Sequence, residues 1–227
     1  SIIIDPAEAD KLIDLLKKKK LSLDYIFITH HHNDHTSGVV DLVKAYPEVK
    51  IYSPSDLYSI KINKISDGDI IKTSLNEFQV LATPGHTLDH VVLCDKLNNL
   101  LFAGDLLFRL GCGRVFEGSI EQMHNSLNSL LDLSDSMKVY CGHEYTLNNL
   151  KFLENIFVDN QILENTKQEV LNDLRSKKSS IPFVLGNEKK LNPFLNPDCE
   201  MGAKFKIDNN YSNLEFFRYL REKKDNF

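Results

Sequence analysis

Short apolar runs alternate with segments of helical period along most of the chain. "SIII" at residues 1–4 and "YIFI" at 25–28 have the length and side chains of buried strands. Between them, residues 7–20 place Ala9, Leu12, Ile13, Leu15 and Leu16 on one helical face and end in "KKKK". That lysine run suits the negative end of a helix dipole and a solvated surface. Val39, Leu42, Val43 and Tyr46 follow the i, i+3, i+4, i+7 spacing of a second helix. Further strands are predicted at "KIYS", "II" before Lys72, "EFQVLA", "HVVLC", "NLLFA" and "KVYC", with a helix around 119–131 before the last. From about residue 145 helices dominate, at 146–157, 160–177 and 212–224, and 179–198 reads as a loop punctuated by proline. The order predicts an α/β domain of stacked sheets, residues 1–147, followed by a smaller helical domain, 148–227.

One polar stretch does not fit ordinary loop chemistry. "THHHNDHTSG", directly after "YIFI", holds four of the eight histidines in the chain. In an extended segment residues i and i+2 point to one side, so His30 and His32 converge while His31 points away. Asp34 continues that parity and His35 breaks it, so the backbone must turn there. One loop then offers two pairs of ligands in two directions, the arrangement wanted by adjacent cations. Three more ligand-type side chains stand where apolar runs end: His86 in "TPGHT", Asp105 in "FAGDLLF" and His143 in "CGHE". Taken singly, each is as easily a turn residue or a satisfied buried group. Together with the histidine loop they make five histidines and two aspartates, enough for two metal ions sharing a carboxylate. His31, His90 and His124 fall outside this set; His90 begins a strand near the site and His124 reads as a surface residue.

Composition narrows the partners. A chain of 227 residues can bury a sizeable core, and its net charge of −5 argues against nucleic acid. No apolar run reaches the roughly 18 residues of a membrane span. Cys94, Cys112, Cys141 and Cys199 are widely spaced with no C-x-x-C pair, which suits reduced thiols and a cytoplasmic location. The chain opens inside an apparent strand, so an upstream segment, including an organellar targeting sequence, is compatible with it. No obligate protein partner is implied.

The motifs "THHHNDHTSG", "TPGHT", "GD", "GCGRVFEG" and "CGHEYTLNNLKF", in this order, resemble the metallo-β-lactamase superfamily and, within it, the glyoxalase II or hydroxyacylglutathione hydrolase enzymes. H-x-H-x-D-H alone marks only the superfamily; the two later motifs and the terminal "REKKDNF" are more specific. The resemblance implies a four-layer αβ/βα sandwich with a dinuclear site at the sheet edges and a C-terminal helical substrate domain. It places one metal on His30, His32 and His86 and the other on Asp34, His35 and His143, with Asp105 bridging. Asp34 and Asp105 are then the catalytic carboxylates. Zinc is the expected metal, and the same nitrogen and oxygen donors suit iron or manganese.

The implied reaction is hydrolysis of S-(2-hydroxyacyl)glutathione, such as S-D-lactoylglutathione, to D-lactate and glutathione by a metal-bridging hydroxide, the second step of methylglyoxal detoxification. A site of two dications and two aspartates retains positive charge for a developing oxyanion. The substrate is anionic, and by the resemblance Arg221 and Lys224 grip its glycine carboxylate, with Arg114 and Tyr145 making further contacts through backbone and side chain. Asn33, Phe116 and Ala103 depart from the family's usual aromatic residue, tyrosine and threonine. Phe116 in particular lacks a hydroxyl that would bind the glutathione backbone, worth about 0.5–1.5 kcal/mol. The strands that ordinarily precede "IDP" do not precede it here, which predicts an exposed sheet edge. The competing activities are a persulfide dioxygenase with a single iron, a β-lactam hydrolase and a non-catalytic thioester binder.

Overall fold

Strand parity sorts the apolar side chains into three separate cores. In the computed structural model, which describes residues 1–158 and 160–227, the first sheet contains β1 (Ile2–Ile4), β2 (Tyr25–Phe27), β3 (Lys50–Ser53) and β4 (Asn63–Lys64), all parallel and in that order. The second contains β5 (Ile70–Lys72), β6 (Glu77–Ala82), β7 (Val91–Asp95) and β8 (Leu100–Gly104) as an antiparallel meander. A separate two-stranded hairpin, β9 (Leu107–Phe108) and β10 (Gly111–Cys112), follows β8. β11 (Lys138–Cys141) then pairs parallel to β8, and β12 (Phe183–Val184) closes the sheet antiparallel to β11.

Neighbouring residues on a strand face opposite layers. Ile26 of β2 joins Leu16, Val39 and Leu42 of helices α1 (Asp10–Lys19) and α3 (Val39–Ala45) in an outer core. Phe27, one residue on, packs instead with Phe78, Val80 and Leu93 between the two sheets. Leu93 faces that middle core while Val92 and Cys94 face the third, with Leu101, Met123, Leu127 and Val139. The stack is therefore helix, sheet, sheet, helix, the four-layer sandwich expected.

Helix α2 (Asn33–Thr36) is one turn inside the histidine loop. α4 (Ile120–Asn128) starts on a capping box between Ser119 and Gln122 and runs into a 3₁₀ turn at Ser129–Asp132. The C-terminal region contains α5 (Thr146–Ile156), α6 (Gln161–Lys177), α7 (Leu185–Leu191), α8 (Gly202–Asp208) and α9 (Asn213–Asp225). Asn160 caps α6 through Ile162 N and Leu163 N, and Ser212 with Glu215 forms a second capping box on α9. Among the described residues no helix is long and apolar enough to cross a membrane.

Two readings need correction. Residues 179–198 are not simply a loop: Phe183 and Val184 form β12 and Leu185–Leu191 form α7. Prolines on both sides hide a helix of seven residues, too short to show two turns of apolar period. His124 is not a surface residue. It is buried on α4 against the Phe217 ring of α9, with Asn128 Nδ2 3.2 Å from its Nδ1.

α7 also holds a buried acid. Glu188 Oε2 accepts hydrogen bonds from the Leu110 backbone at 2.7 Å and Asn192 Nδ2 at 3.0 Å. Asn192 Nδ2 also donates to Gly111 O, so both side chains pin the β9–β10 hairpin onto the helical region. Burial pushes the Glu188 carboxyl up to about 7. The folded value lies above the unfolded value of about 4.3, so this group's contribution is fully present below that pH and is lost as pH rises through about 7. Glu188→Gln keeps an acceptor for Leu110 and removes the titration. Relative to wild type it is expected to gain stability as pH rises from about 4.3 to about 7 in urea unfolding, on the order of 1.4 kcal/mol for each pH unit of that window, and to keep a constant advantage above it.

Candidate metal centre

Every ligand predicted from the sequence arrives at one edge of the sandwich from the C-terminal end of a strand or the turn after it. Residues after β2 carry His30, His32, Asp34 and His35; the turn after β6 carries His86; the residue after β8 is Asp105; the turn after β11 carries His143. The chain turns at Asn33, where α2 begins, so Asp34 and His35 leave the extended parity of His30 and His32. Gly104 is required before Asp105. Its φ is +48°, and a Cβ there would lie 2.6 Å from Thr29 Oγ1 and 2.7 Å from His90 Nε2.

The ligand atoms of His30, His32 and His86 lie within 4.8 Å of one another, and those of Asp34, His35 and His143 do the same. Asp105 joins the two triads. Its Oδ2 is 3.4 Å from His86 Nε2 and 3.5 Å from His143 Nε2, and its Oδ1 is 3.4 Å from His35 Nε2. Asp34 Oδ2 is 3.2 Å from His143 Nε2. A cleft of about 600 Å³ borders the second triad, with Asp34, His35 and His143 in its wall.

The rings are aimed by partners behind them. His86 Nδ1 donates to the Arg114 carbonyl at 2.8 Å, and His30 Nδ1 is 3.0 Å from Thr29 Oγ1. His35 Nδ1 is 3.0 Å from Asp5 Oδ2, and Asp5 also accepts from Thr29 N and Thr29 Oγ1. In the sequence only its place after "SIII" singles Asp5 out. His90 Nδ1 is 2.8 Å from Thr83 Oγ1, and its Nε2 accepts from Asp105 N at 3.0 Å. Burial and the neighbouring His86 hold His90 down to about 3, which keeps Nε2 free to accept.

A pair of cations fits what these residues lack. His30 Nε2, His35 Nε2 and Asp105 Oδ1 are buried without a hydrogen-bond partner, a costly state unless something binds them. A Cβ on Gly142 would meet His35 Cε1 at 2.6 Å, so the cradle around Asp105 needs that glycine. Burial lowers His30, and it would raise Asp105, but contacts with His143 and His35 outweigh it and hold Asp105 ionised. Burial likewise opposes a proton on His35, yet Asp105 and Asp5 hold it at about 10. The field that keeps a proton there favours a metal ion in its place. The nitrogen and carboxylate donors, without thiolate, suit zinc, iron or manganese.

The residues expected to bind substrate are placed differently from one another. Tyr145 is half-exposed and stacks on His143, centroids 4.9 Å apart and planes at 16°. Lys224 Nζ lies 3.2 Å from Asn148 O and 5.0 Å from the Phe152 ring; burial and the Arg221 charge bring it down to about 8. Arg114 is exposed with Nε 3.2 Å from Asp225 Oδ1, and its carbonyl is engaged by His86. Arg221, expected with Lys224 to grip the glycine carboxylate, is largely buried. Its side chain is only 5% exposed, donating to Cys112 O and Gly113 O and paired with Asp225 at 2.9 Å. Phe116 stands edge-on over His32 and His86 at 5.6 and 5.3 Å.

A sandwich of this kind with two ligand triads at its edge defines a class. Residues 1–143 match the family model of the metallo-β-lactamase superfamily, and the chain belongs to that superfamily. Residues 144–227 match a second model, the hydroxyacylglutathione hydrolase C-terminus. The chain is 39% identical over 230 residues to a hydroxyacylglutathione hydrolase of Aliivibrio fischeri (strain MJ11), covering 100% of this chain and 90% of that one. Another from Pseudoalteromonas translucida (strain TAC 125) is 40% identical over 234 residues, at 99% and 90% coverage. Within the superfamily, the chain belongs to the hydroxyacylglutathione hydrolase family. Among solved structures, TTHA1623 in a di-iron-bound form has a TM-score of 0.55 at 30% identity, covering 63% of this chain and 80% of that one. ETHE1 from Myxococcus xanthus, with a TM-score of 0.65, 23% identity and coverage of 96% and 78%, is alike in fold.

Proposed function

We propose that this chain hydrolyses S-(2-hydroxyacyl)glutathione, S-D-lactoylglutathione in particular, to the 2-hydroxy acid and glutathione. The observation that carries this reading is the pair of ligand triads joined by Asp105, in a chain whose C-terminal region belongs to the hydroxyacylglutathione hydrolases. His30, His32 and His86 would hold one divalent ion and Asp34, His35 and His143 the other, with zinc the metal expected and Asp105 facing both. Bound there, the two ions supply an activated water and polarise the thioester carbonyl.

The chain's own groups do the rest. Asp105 and Asp34 are acceptors placed to hold the nucleophile's proton and orient its lone pair toward the carbonyl carbon. Addition forms a C–O bond; collapse breaks the C–S bond and leaves the thiolate of glutathione, a leaving group that needs no protein acid. Tyr145, stacked on His143, offers a ring and a hydroxyl beside the reacting carbonyl. Lys224 carries positive charge against the anionic glutathione moiety, assisted by Arg114 at the rim. Phe116 presents an apolar edge where a hydroxyl would bind. Residues 1–147 form the catalytic domain and 148–227 the glutathione-binding domain in this reading. Free thiols at Cys94, Cys112, Cys141 and Cys199 suit a cytoplasmic setting.

Freshly purified protein is expected to release glutathione from S-D-lactoylglutathione and to contain about two metal ions per chain, the number a dinuclear hydrolase needs. One iron per chain with oxygen-dependent oxidation of glutathione persulfide would instead identify the dioxygenase.

A further inference from the structure

His31 stands between two ligand histidines, yet its ring turns toward carboxylates. Its Nδ1 is 2.9 Å from Asp89 Oδ1 and its Nε2 is 3.2 Å from Glu117 Oε1. Each carboxylate is tied in turn. Asp89 accepts from Thr87 Oγ1 at 2.6 Å and from Ser55 Oγ, and Glu117 Oε2 accepts from Leu88 N at 2.9 Å. Three segments meet through this one ring: the histidine loop, the turn carrying His86, and residues 113–118. The last of these already grips His86, because Phe116 N and Glu117 N donate to the His86 carbonyl while the Arg114 carbonyl receives His86 Nδ1.

We infer that His31, with Asp89 and Glu117, is a positioning clamp for the triad His30, His32 and His86, and not for the second triad. All three of those ligands lie on segments the clamp joins. The second triad is anchored elsewhere: His35 by Asp5, and His143 by a turn whose Glu144 accepts from Ser180 N at 2.9 Å. The three rings of the first triad stand edge to face with centroids 4.8–4.9 Å apart, so a small splaying of the two segments moves ring nitrogens out of a shared tetrahedral site. The ligand atoms of His31, Asp89 and Glu117 also lie within 4.8 Å of one another, so a third ion there is the alternative that the titration must separate from a clamp.

The inference rests on the metal assignment above, and a cobalt titration separates the two. Metal-free wild-type protein is titrated with Co²⁺, followed by visible absorption and calorimetry, beside His31→Ala, Glu117→Gln and His86→Ala. Wild type takes up two ions. His31→Ala weakens one step by about 10–100-fold, as loss of a group orienting ligands does, and leaves the other unchanged. The weakened step is the one that His86→Ala abolishes. Glu117→Gln, a change at a half-exposed rim, weakens the same step by less and guards against a folding defect in His31→Ala. Equal weakening of both steps, or of neither, in a wild type that binds two ions overturns the clamp alone. A third ion bound by wild type and lost in His31→Ala also overturns it. Fewer than two ions in wild type overturns the clamp and the dinuclear reading together.

Discussion

Asp105→Ala is expected to remove most of the turnover and much of the bound metal together. Among the described residues Asp105 is the side chain within 3.5 Å of ring nitrogens from both triads, through Oδ2 to His86 and His143 and through Oδ1 to His35. Truncation takes an anion from between two dications, which then repel each other with less compensation. It also leaves three imidazoles without the acceptor that faces them. Replacing a group that merely orients a ligand costs about 10–100-fold in metal affinity or activity, so loss of a shared ligand should exceed the upper end of that range. Metal analysis of the purified variant and its kcat/KM on S-D-lactoylglutathione check this. Asp105→Asn keeps the shape but not the charge, and should fall nearer the alanine variant than wild type. Full activity with intact metal in either variant would remove Asp105 from the site.

Arg221→Ala is expected to act first on stability. The guanidinium is buried, donates to two backbone carbonyls of the β10 turn, pairs with Asp225 and lies 5.6 Å above the Phe194 ring. Removing it strips the Cys112 and Gly113 carbonyls of a donor where water enters poorly, while Asp225 keeps only Arg114. Breaking a buried pair from one side costs about 3–5 kcal/mol, and the lower end applies because Asp225 is partly exposed. Urea unfolding measures the loss. Lys224→Ala, by contrast, should raise KM with little change in unfolding midpoint, since Lys224 gives up one hydrogen bond to Asn148 O. An Arg221→Ala protein of unchanged stability and greatly raised KM would show that Arg221 acts on substrate, the role its resemblance implies, and not on the fold.

These two residues mark how far local sequence carries. Asp105 was legible because its neighbours are: an apolar run, then Gly104, then an acid, repeated in kind at His86 and His143. Arg221 was legible as a charge on a helix, but nothing near it in the chain says that the residues of the 107–112 hairpin and the turn after it cover it. The hairpin itself has no local signature, since two strands of two residues have no period to detect and Leu110, not a glycine, takes the positive φ of 61°. Helix α7 was hidden by flanking prolines, and His124 looked like surface because Phe217, which covers it, lies on a different element.

By itself the sequence determined the alternation of strands and helices and offered seven side chains of metal-ligating type. Those follow from periodicity, chain stiffness and donor chemistry, all written within a few residues. Only the tertiary structure decided what holds those side chains in place, Asp5 behind His35 and the carboxylates around His31. Asp5 reaches Thr29 and His35 across 24 and 30 positions, and His31 reaches Asp89 across 58. Contacts at such separations depend on how strands pair and turns stack, and no local pattern encodes that.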